Sequence, residues 1–108
     1  MVKASLKNYR QSPRKVRLAA DLIKGKKVSQ ALELLEFLPK RAAPVLRKLL
    51  KSAVANAKQA NLREDTLVVK EVRVDKGVVL KRHMPRARGR ASAIHKHTSH
   101  VVIVLEPV

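Results

Sequence analysis

Hydrophobic and polar positions alternate at the start of the chain. Val2, Ala4 and Leu6 fall on one side, and Lys3, Ser5, Lys7 and Tyr9 on the other, within residues 2–10. That is the period of a half-buried strand. The period then lengthens. Val16, Ala19, Ala20 and Ile23 recur at helical spacing behind Ser12 as N-cap and Pro13 at the first helical position. Gly25 stands where a left-handed C-cap belongs. A shorter helix is predicted over residues 28–37, with the stripe Val28, Ala31, Leu32 and Leu35 and with Pro39 just beyond it. A third is predicted over residues 41–60. Val45, Leu49, Ala53 and Ala57 lie on one side of it, with Arg47, Lys48, Lys51 and Lys58 mainly on the other. Pro44 is tolerable there only in the first turn.

Residues 61–65 are a polar connection, after which Val68, Val72 and Val74 alternate with Glu71, Arg73 and Asp75. Residues 101–105 form a continuous apolar strand. The order β-α-α-α-β-β predicts an α+β fold, with three helices against one face of a small antiparallel sheet. The length suits one domain, residues 1–108. Between the last two strands runs KRHMPRARGRASAIHKHTSH, residues 81–100, which holds all four histidines and no acid. Two strands joined by so long a basic segment predict an extended β-hairpin arm over residues 76–101. If Val74 pairs near Val102, the turn centres on residue 88, beside Gly89 and just after Pro85. About a dozen residues per side at ~3.3 Å each give a reach of about 40 Å. Gly77 marks a bulge or the base of the arm.

Charge narrows the partner. The chain carries 25 Lys and Arg against 8 Asp and Glu, a formal net charge of +17. Such self-repulsion disfavours the compact state unless counter-charge is supplied, and nucleic acid is its commonest source. A membrane surface needs an aromatic or strongly amphipathic anchor, and the aromatics are Tyr9 and Phe37 alone. No apolar run approaches the ~20 residues that span a bilayer. The N-terminal MVKASLKNYR has no signal-peptide apolar core, and the chain has no cysteine. A cytoplasmic protein is expected, with no membrane partner and no cofactor. The scarcity of aromatics also disfavours base stacking on single strands, and favours backbone and shape recognition of a folded or double-stranded nucleic acid.

Two helix starts break a local rule. Cations oppose the dipole at a helix N-terminus by about 0.3–1 kcal/mol each. Yet Arg14 and Lys15 follow Pro13, and Lys40 and Arg41 open the third predicted helix. A bound phosphate turns this conflict into an advantage; solvated charge on a basic protein is the bland alternative. His95, His97 and His100 have a spacing that could hold a metal. The surrounding cations and the lack of a nearby carboxylate argue against one, and contact with phosphate or base is the better use of the imidazoles. Catalysis has little support. The acids are dispersed, Tyr9 reads as a packed strand residue, and neither Ser92 nor Ser99 has an oriented base or an oxyanion site that can be argued.

Three segments are similar to a known family: SPRKVRLAADLIKGK (residues 12–26), LKSAVANA (residues 50–57), and LKRHMPRARGRA with KHTSH (residues 80–91 and 96–100). In these, and in their order across essentially the whole chain, the sequence resembles the bacterial ribosomal protein L-twenty-two family of the large subunit. The resemblance implies a structural, non-enzymatic protein of the cytoplasmic ribosome that binds several domains of large-subunit ribosomal RNA and supports assembly. It implies neighbouring large-subunit proteins as partners. It also implies a hairpin tip that lines the nascent-peptide exit tunnel, where the growing peptide passes. Carried over, the tip set is Leu80, Lys81, Arg82, His83, Met84, Pro85, Arg86, Ala87, Arg88, Gly89 and Arg90. RNA contact is expected from Arg10, Ser12, Arg14, Lys15, Arg17, Lys24, Lys26, Lys27, Lys40 and Arg41. In the arm and its base it is expected from Lys81, Arg82, Arg86, Arg88, Arg90, Lys96, Thr98, Ser99 and His100. The chain departs from the family pattern at His83, at Ser92–Ala93 and at Val78–Val79.

Two other classes compete. A DNA-bending protein inserts a Pro-tipped β-arm into the minor groove, but such proteins dimerise and carry an apolar wedge, whereas this tip is Arg-rich. A small nuclease using the histidines would show an activity that disappears on His100→Ala.

Overall fold

The computed structural model describes residues 2–85 and 91–107, with side chains described outside residues 80–95. Expectations for the turn, including Arg86, Ala87, Arg88, Gly89 and Arg90, lie outside the described residues. The elements are β1 (Val2–Tyr9), α1 (Pro13–Ile23), α2 (Val28–Phe37), α3 (Ala43–Gln59), a 3-10 turn (Glu64–Thr66), β2 (Leu67–Lys76), β3 (Leu80–Pro85), β4 (Ala91–Lys96) and β5 (Ser99–Pro107). β1, β5 and β2 form an antiparallel sheet in that order, and β3 pairs with β4 in a second, two-stranded sheet. The fold is α+β, as the pattern of elements predicts. The overall dimensions are 62 × 25 × 16 Å.

The apolar stripes of α1 (Val16, Ala19, Ala20, Ile23) and α2 (Val28, Ala31, Leu35) are buried as their spacing predicts, with Leu32 partly buried beside them. α3 differs. Its buried face is Ala43, Leu46, Leu49, Leu50, Ala53, Val54 and Ala57, while Val45 is only half-buried. The reason is that α3 packs against β1 and β5 on one side and α2 on another, so a wider stripe is covered. Arg47 is correspondingly half-buried and reaches Glu36 of α2 at 3.9 Å rather than open solvent. α3 also starts later than its pattern suggests, at Ala43. Lys40 and Arg41 form the preceding turn, closed by the Ala43 N–H donating to the Lys40 carbonyl at 3.1 Å. Its far end closes by a Schellman arrangement: Asn61 takes φ 63°, and the Leu62 N–H reaches the Ala57 carbonyl at 3.0 Å.

β5 is central, which explains its continuous apolar run. Val101, Ile103 and Leu105 face the helices, and Val104, between Lys3 and Glu71 in the cross-strand row, is also covered. In β1 the simple alternation fails at its end. The register shifts between Leu6, opposite Val101, and Tyr9, opposite Ser99, so Lys7 and Asn8 stand against the single residue His100. Asn8 absorbs the bulge at φ 58°. The bulge turns Tyr9 onto the core, where it is partly buried, instead of onto the outer side that a strict period of two assigns.

The free edge of β2 is covered by α1 and the loop that follows. Gly25, at φ 75°, lets the loop turn back so that its N–H reaches the Val69 carbonyl at 2.8 Å and the Val69 N–H reaches Lys26 at 2.9 Å. Arg17 of α1 donates through Nε and Nη2 to the Val74 carbonyl at 3.2 and 2.8 Å. Such contacts blunt an edge that would otherwise invite another strand.

At the base of the arm, Val74 pairs with Val101, one residue short of the expected Val102. The Gly77 N–H then donates to the Thr98 carbonyl at 2.9 Å. By Leu80, which pairs with Lys96, the register has moved by one. Val78 and Val79 therefore stand against His97 alone, an irregularity at the arm base beside the register shifts of β1 (between Leu6 and Tyr9) and of β2 (between Val69 and Glu71).

Candidate nucleic-acid interface

The structure gathers residues from four places in the chain around one acid-free cleft of about 580 Å³. Arg10, Gln11 and Ser12 come from the β1–α1 connection, Lys15 from the first turn of α1, Arg41 from the turn before α3, and Lys96 and His97 from the end of β4. Lys15 and Arg41 are expected from the cationic helix starts, and Arg10, Ser12 and Lys96 from the family resemblance, but only the fold shows that they share one concavity. Ser12 occupies the N-cap position of α1 with extended backbone, yet its side chain makes no capping bond, and the first turn holds no acid. The open N-terminus and the nearby cations suit an anion with several oxygens, as a phosphodiester has. Gln11 lines the cleft as well, but its Oε1, buried without a hydrogen-bond partner among the described residues, is an acceptor and gives a phosphate no bond. Sequence reasoning missed Gln11, since a lone glutamine between two polar residues carries no pattern.

The other expected contacts distribute differently. Arg14 is exposed beside the cleft on the first turn of α1, and Lys40 is exposed in the α2–α3 turn. Arg17 is tied to the β2 edge as described, with part of its guanidinium left over. Lys24 lies 3.7 Å from Asp21 on the same helix, an exposed and weak pair. Lys26 borders a groove along α2. Lys27 shares a depression with Glu64 and Asp65, where Lys58–Glu64 (3.5 Å) and Arg63–Asp65 (3.0 Å) already neutralise one another. The cleft is thus the acid-free cationic site, while at the arm base the exposed Asp75 stands opposite His100.

Thr98, Ser99 and His100 turn inward or sideways to tie the arm to the body. Thr98 and Ser99 are 4% and 0% exposed. The Thr98 hydroxyl donates to the Val78 carbonyl at 2.5 Å, which ties down the irregularity at the arm base. The Ser99 hydroxyl donates to the Gln11 carbonyl at 2.6 Å, which links the arm base to the cleft rim. His100 Nδ1 accepts from the Asn8 N–H, and its ring lies over Gly77. These three residues therefore set the direction of the arm through internal bonds. Of the tip set, Leu80, Lys81, Arg82, His83, Met84 and Pro85 lie on β3 by backbone alone. Among the described residues no cluster of three or more His, Cys, Asp or Glu could hold a metal, and no helix is long and apolar enough to cross a membrane.

Comparison with known proteins finds relatives over nearly the whole chain. Residues 4–106 match the family described as ribosomal protein L22p/L17e. The chain is 56% identical over 103 residues to the large ribosomal subunit protein uL22 of Trichlorobacter lovleyi, covering 94% of this chain and 91% of that one. It is 51% identical over 104 residues to the protein of the same name from Syntrophotalea carbinolica, with 95% and 94% covered. To that of Herpetosiphon aurantiacus it is 50% identical over 105 residues, with 96% and 93% covered.

Proposed function

The chain belongs to the ribosomal protein L22p/L17e family, and from that premise we propose that it is a structural constituent of the large ribosomal subunit, held there by ribosomal RNA. Membership makes it a ribosomal protein rather than an enzyme, and its place is the cytoplasmic ribosome. The observation that carries the RNA reading is the acid-free cleft, where Arg10, Lys15, Arg41 and Lys96 converge beside an open helix N-terminus. Contacts of this kind read backbone position and shape, which suits a chain with only two aromatic residues.

The finer reading has two parts. The body docks phosphates through Arg10, Ser12, Lys15 and Arg41, with Arg14 and Lys40 alongside. The arm carries its tip, residues 80–90, inward to the wall of the nascent-peptide tunnel, and joining body and arm to several RNA domains supports assembly. Thr98, Ser99 and His100 act as positioning residues that fix the arm against the body. The test is a filter-binding comparison on large-subunit RNA. Lys15→Ala and Arg41→Ala should each weaken binding, while Glu33→Ala on α2 should leave it unchanged. Equal affinity for all four proteins would overturn the assignment of the cleft.

A further inference from the structure

One face of α2 remains outside this account. Gln30 lies three and four residues before Glu33 and Leu34, and Phe37 lies four and three residues after them, so the four share a side of the helix. They line a groove of about 590 Å³ that Leu38 and Pro39 close at the C-terminal end. Phe37, the only phenylalanine of the chain, is 81% exposed, and Leu34 is 44% exposed. An aromatic so open on a small domain is a typical anchor of a protein interface. The charge beside it runs against the rest of the molecule. Glu33 lines the groove and makes no ion pair among the described residues, and Glu36, one residue before Phe37, is half exposed although it lies 3.9 Å from Arg47. Two of the eight acids of a chain of net charge +17 thus lie in the helical turn before its most exposed aromatic, and Glu33 is the one that lines the groove. Lys26 is the one cation lining the groove, at its opposite, N-terminal end.

We propose that this groove docks a cationic protein segment of the large subunit, with an apolar side chain seated on Leu34 and Phe37 and a Lys or Arg beside it pairing with Glu33. The inference rests on the ribosomal reading above and adds to it the surface and the chemistry of the neighbour. A phosphate backbone fits poorly, because Glu33 and Glu36 repel it. A second copy of this chain fits poorly as well, since its net charge opposes close approach. Complementary charge at the rim selects the partner, and the aromatic anchor holds it.

The test places a photo-cross-linker in the full chain, Phe37→p-benzoylphenylalanine, with the tagged wild-type chain carried alongside. Phe37 is exposed, so the change does not disturb the core. Large subunits are isolated from cells expressing each chain, irradiated, and the adducts are sequenced. The expected result at Phe37 is a protein adduct whose cross-linked peptide has a Lys or Arg within four residues of the attachment point. Adding Glu33→Lys should reduce that adduct to background. An RNA adduct, no adduct, a peptide without a nearby Lys or Arg, or an adduct indifferent to Glu33→Lys each overturns the docking proposal, while the presence of the wild-type chain in large subunits keeps the ribosomal reading intact. If the wild-type chain is not found in large subunits, the ribosomal reading itself fails.

Discussion

The backbone N–H of Asn8 donates to Nδ1 of His100 across 3.1 Å, which ties the bulge of β1 to the strand that returns from the arm. The extra residue of a bulge leaves its N–H without a strand partner, and here an imidazole supplies one. Asn8 holds φ 58° to make the turn. Asparagine tolerates that left-handed region better than most residues, and a β-branched side chain does not. Asn8→Val should therefore cost about 1–2 kcal/mol, read as a lower urea midpoint at unchanged slope, whereas Asn8→Gly should cost much less. Equal losses for the two would show that the backbone conformation of Asn8 is not what matters there.

Gly77 and Thr98 should behave as a coupled pair. A Cβ on Gly77 would lie 2.5 Å from Thr98 Oγ1 and 3.3 Å from two ring atoms of His100. Gly77→Ala should destabilise the fold by about 1–3 kcal/mol through overpacking. Thr98→Ala alone loses a hydroxyl bond to Val78, but in the Gly77→Ala background it removes the clashing atom. The double variant should thus be more stable than the sum of the single losses, a non-additivity that a double-mutant cycle measures. Strict additivity would mean that the Gly77 backbone shifts freely and that the arm base is not packed as described.

Ser99 is buried and gives its hydroxyl to the Gln11 carbonyl. Ser99→Ala should cost about 0.5–1.5 kcal/mol by equilibrium unfolding. The larger Ser99→Val should cost about 1–3 kcal/mol by overpacking the same site. The position is close to the RNA cleft through Gln11, so Ser99→Ala should also weaken RNA binding modestly without changing its salt slope, as expected of a residue that positions others. A reduced slope would instead assign Ser99 a direct phosphate contact.

Much of this architecture is legible in local periodicity. The stripes of α1 and α2 repeat every three or four residues and need nothing distant to be read. The antiparallel pairing of the strand around Val74 with the apolar run of residues 101–105 is legible to within one residue, since Val74 meets Val101 where Val102 is expected. What eludes the sequence is tertiary. Tyr9 reverses sides because one residue is added at Asn8, and a period of two cannot anticipate an insertion. The wide buried face of α3 reflects two packing partners, which a one-sided stripe does not encode. Arg10, Ser12 and Lys15 are neighbours in sequence, but that Arg41 and Lys96 join them depends on how the α2–α3 turn and the arm base meet. Thr98 and Ser99 look like surface hydroxyls in a basic segment, and only the folded strand shows them facing inward.

RNA binding should be strongly salt-dependent. If about 6–10 phosphates are neutralised, affinity falls by about 10³–10⁵ between 50 and 200 mM salt. Lys15→Ala and Arg41→Ala should each reduce the slope of log K against log salt by about 1. Lys24→Ala should reduce it less, because Asp21 lies 3.7 Å from that ammonium. A flat salt response would argue against phosphate-dominated binding.

As a member of the L22p/L17e family, this chain is built into the large ribosomal subunit. Sucrose-gradient sedimentation of a lysate from cells expressing the tagged full chain measures it directly. The chain should travel with the large subunit and with whole ribosomes, and the Lys15→Ala/Arg41→Ala double variant should shift part of the protein to the top of the gradient. A wild-type chain that remains at the top, away from both ribosomal peaks, would contradict the account.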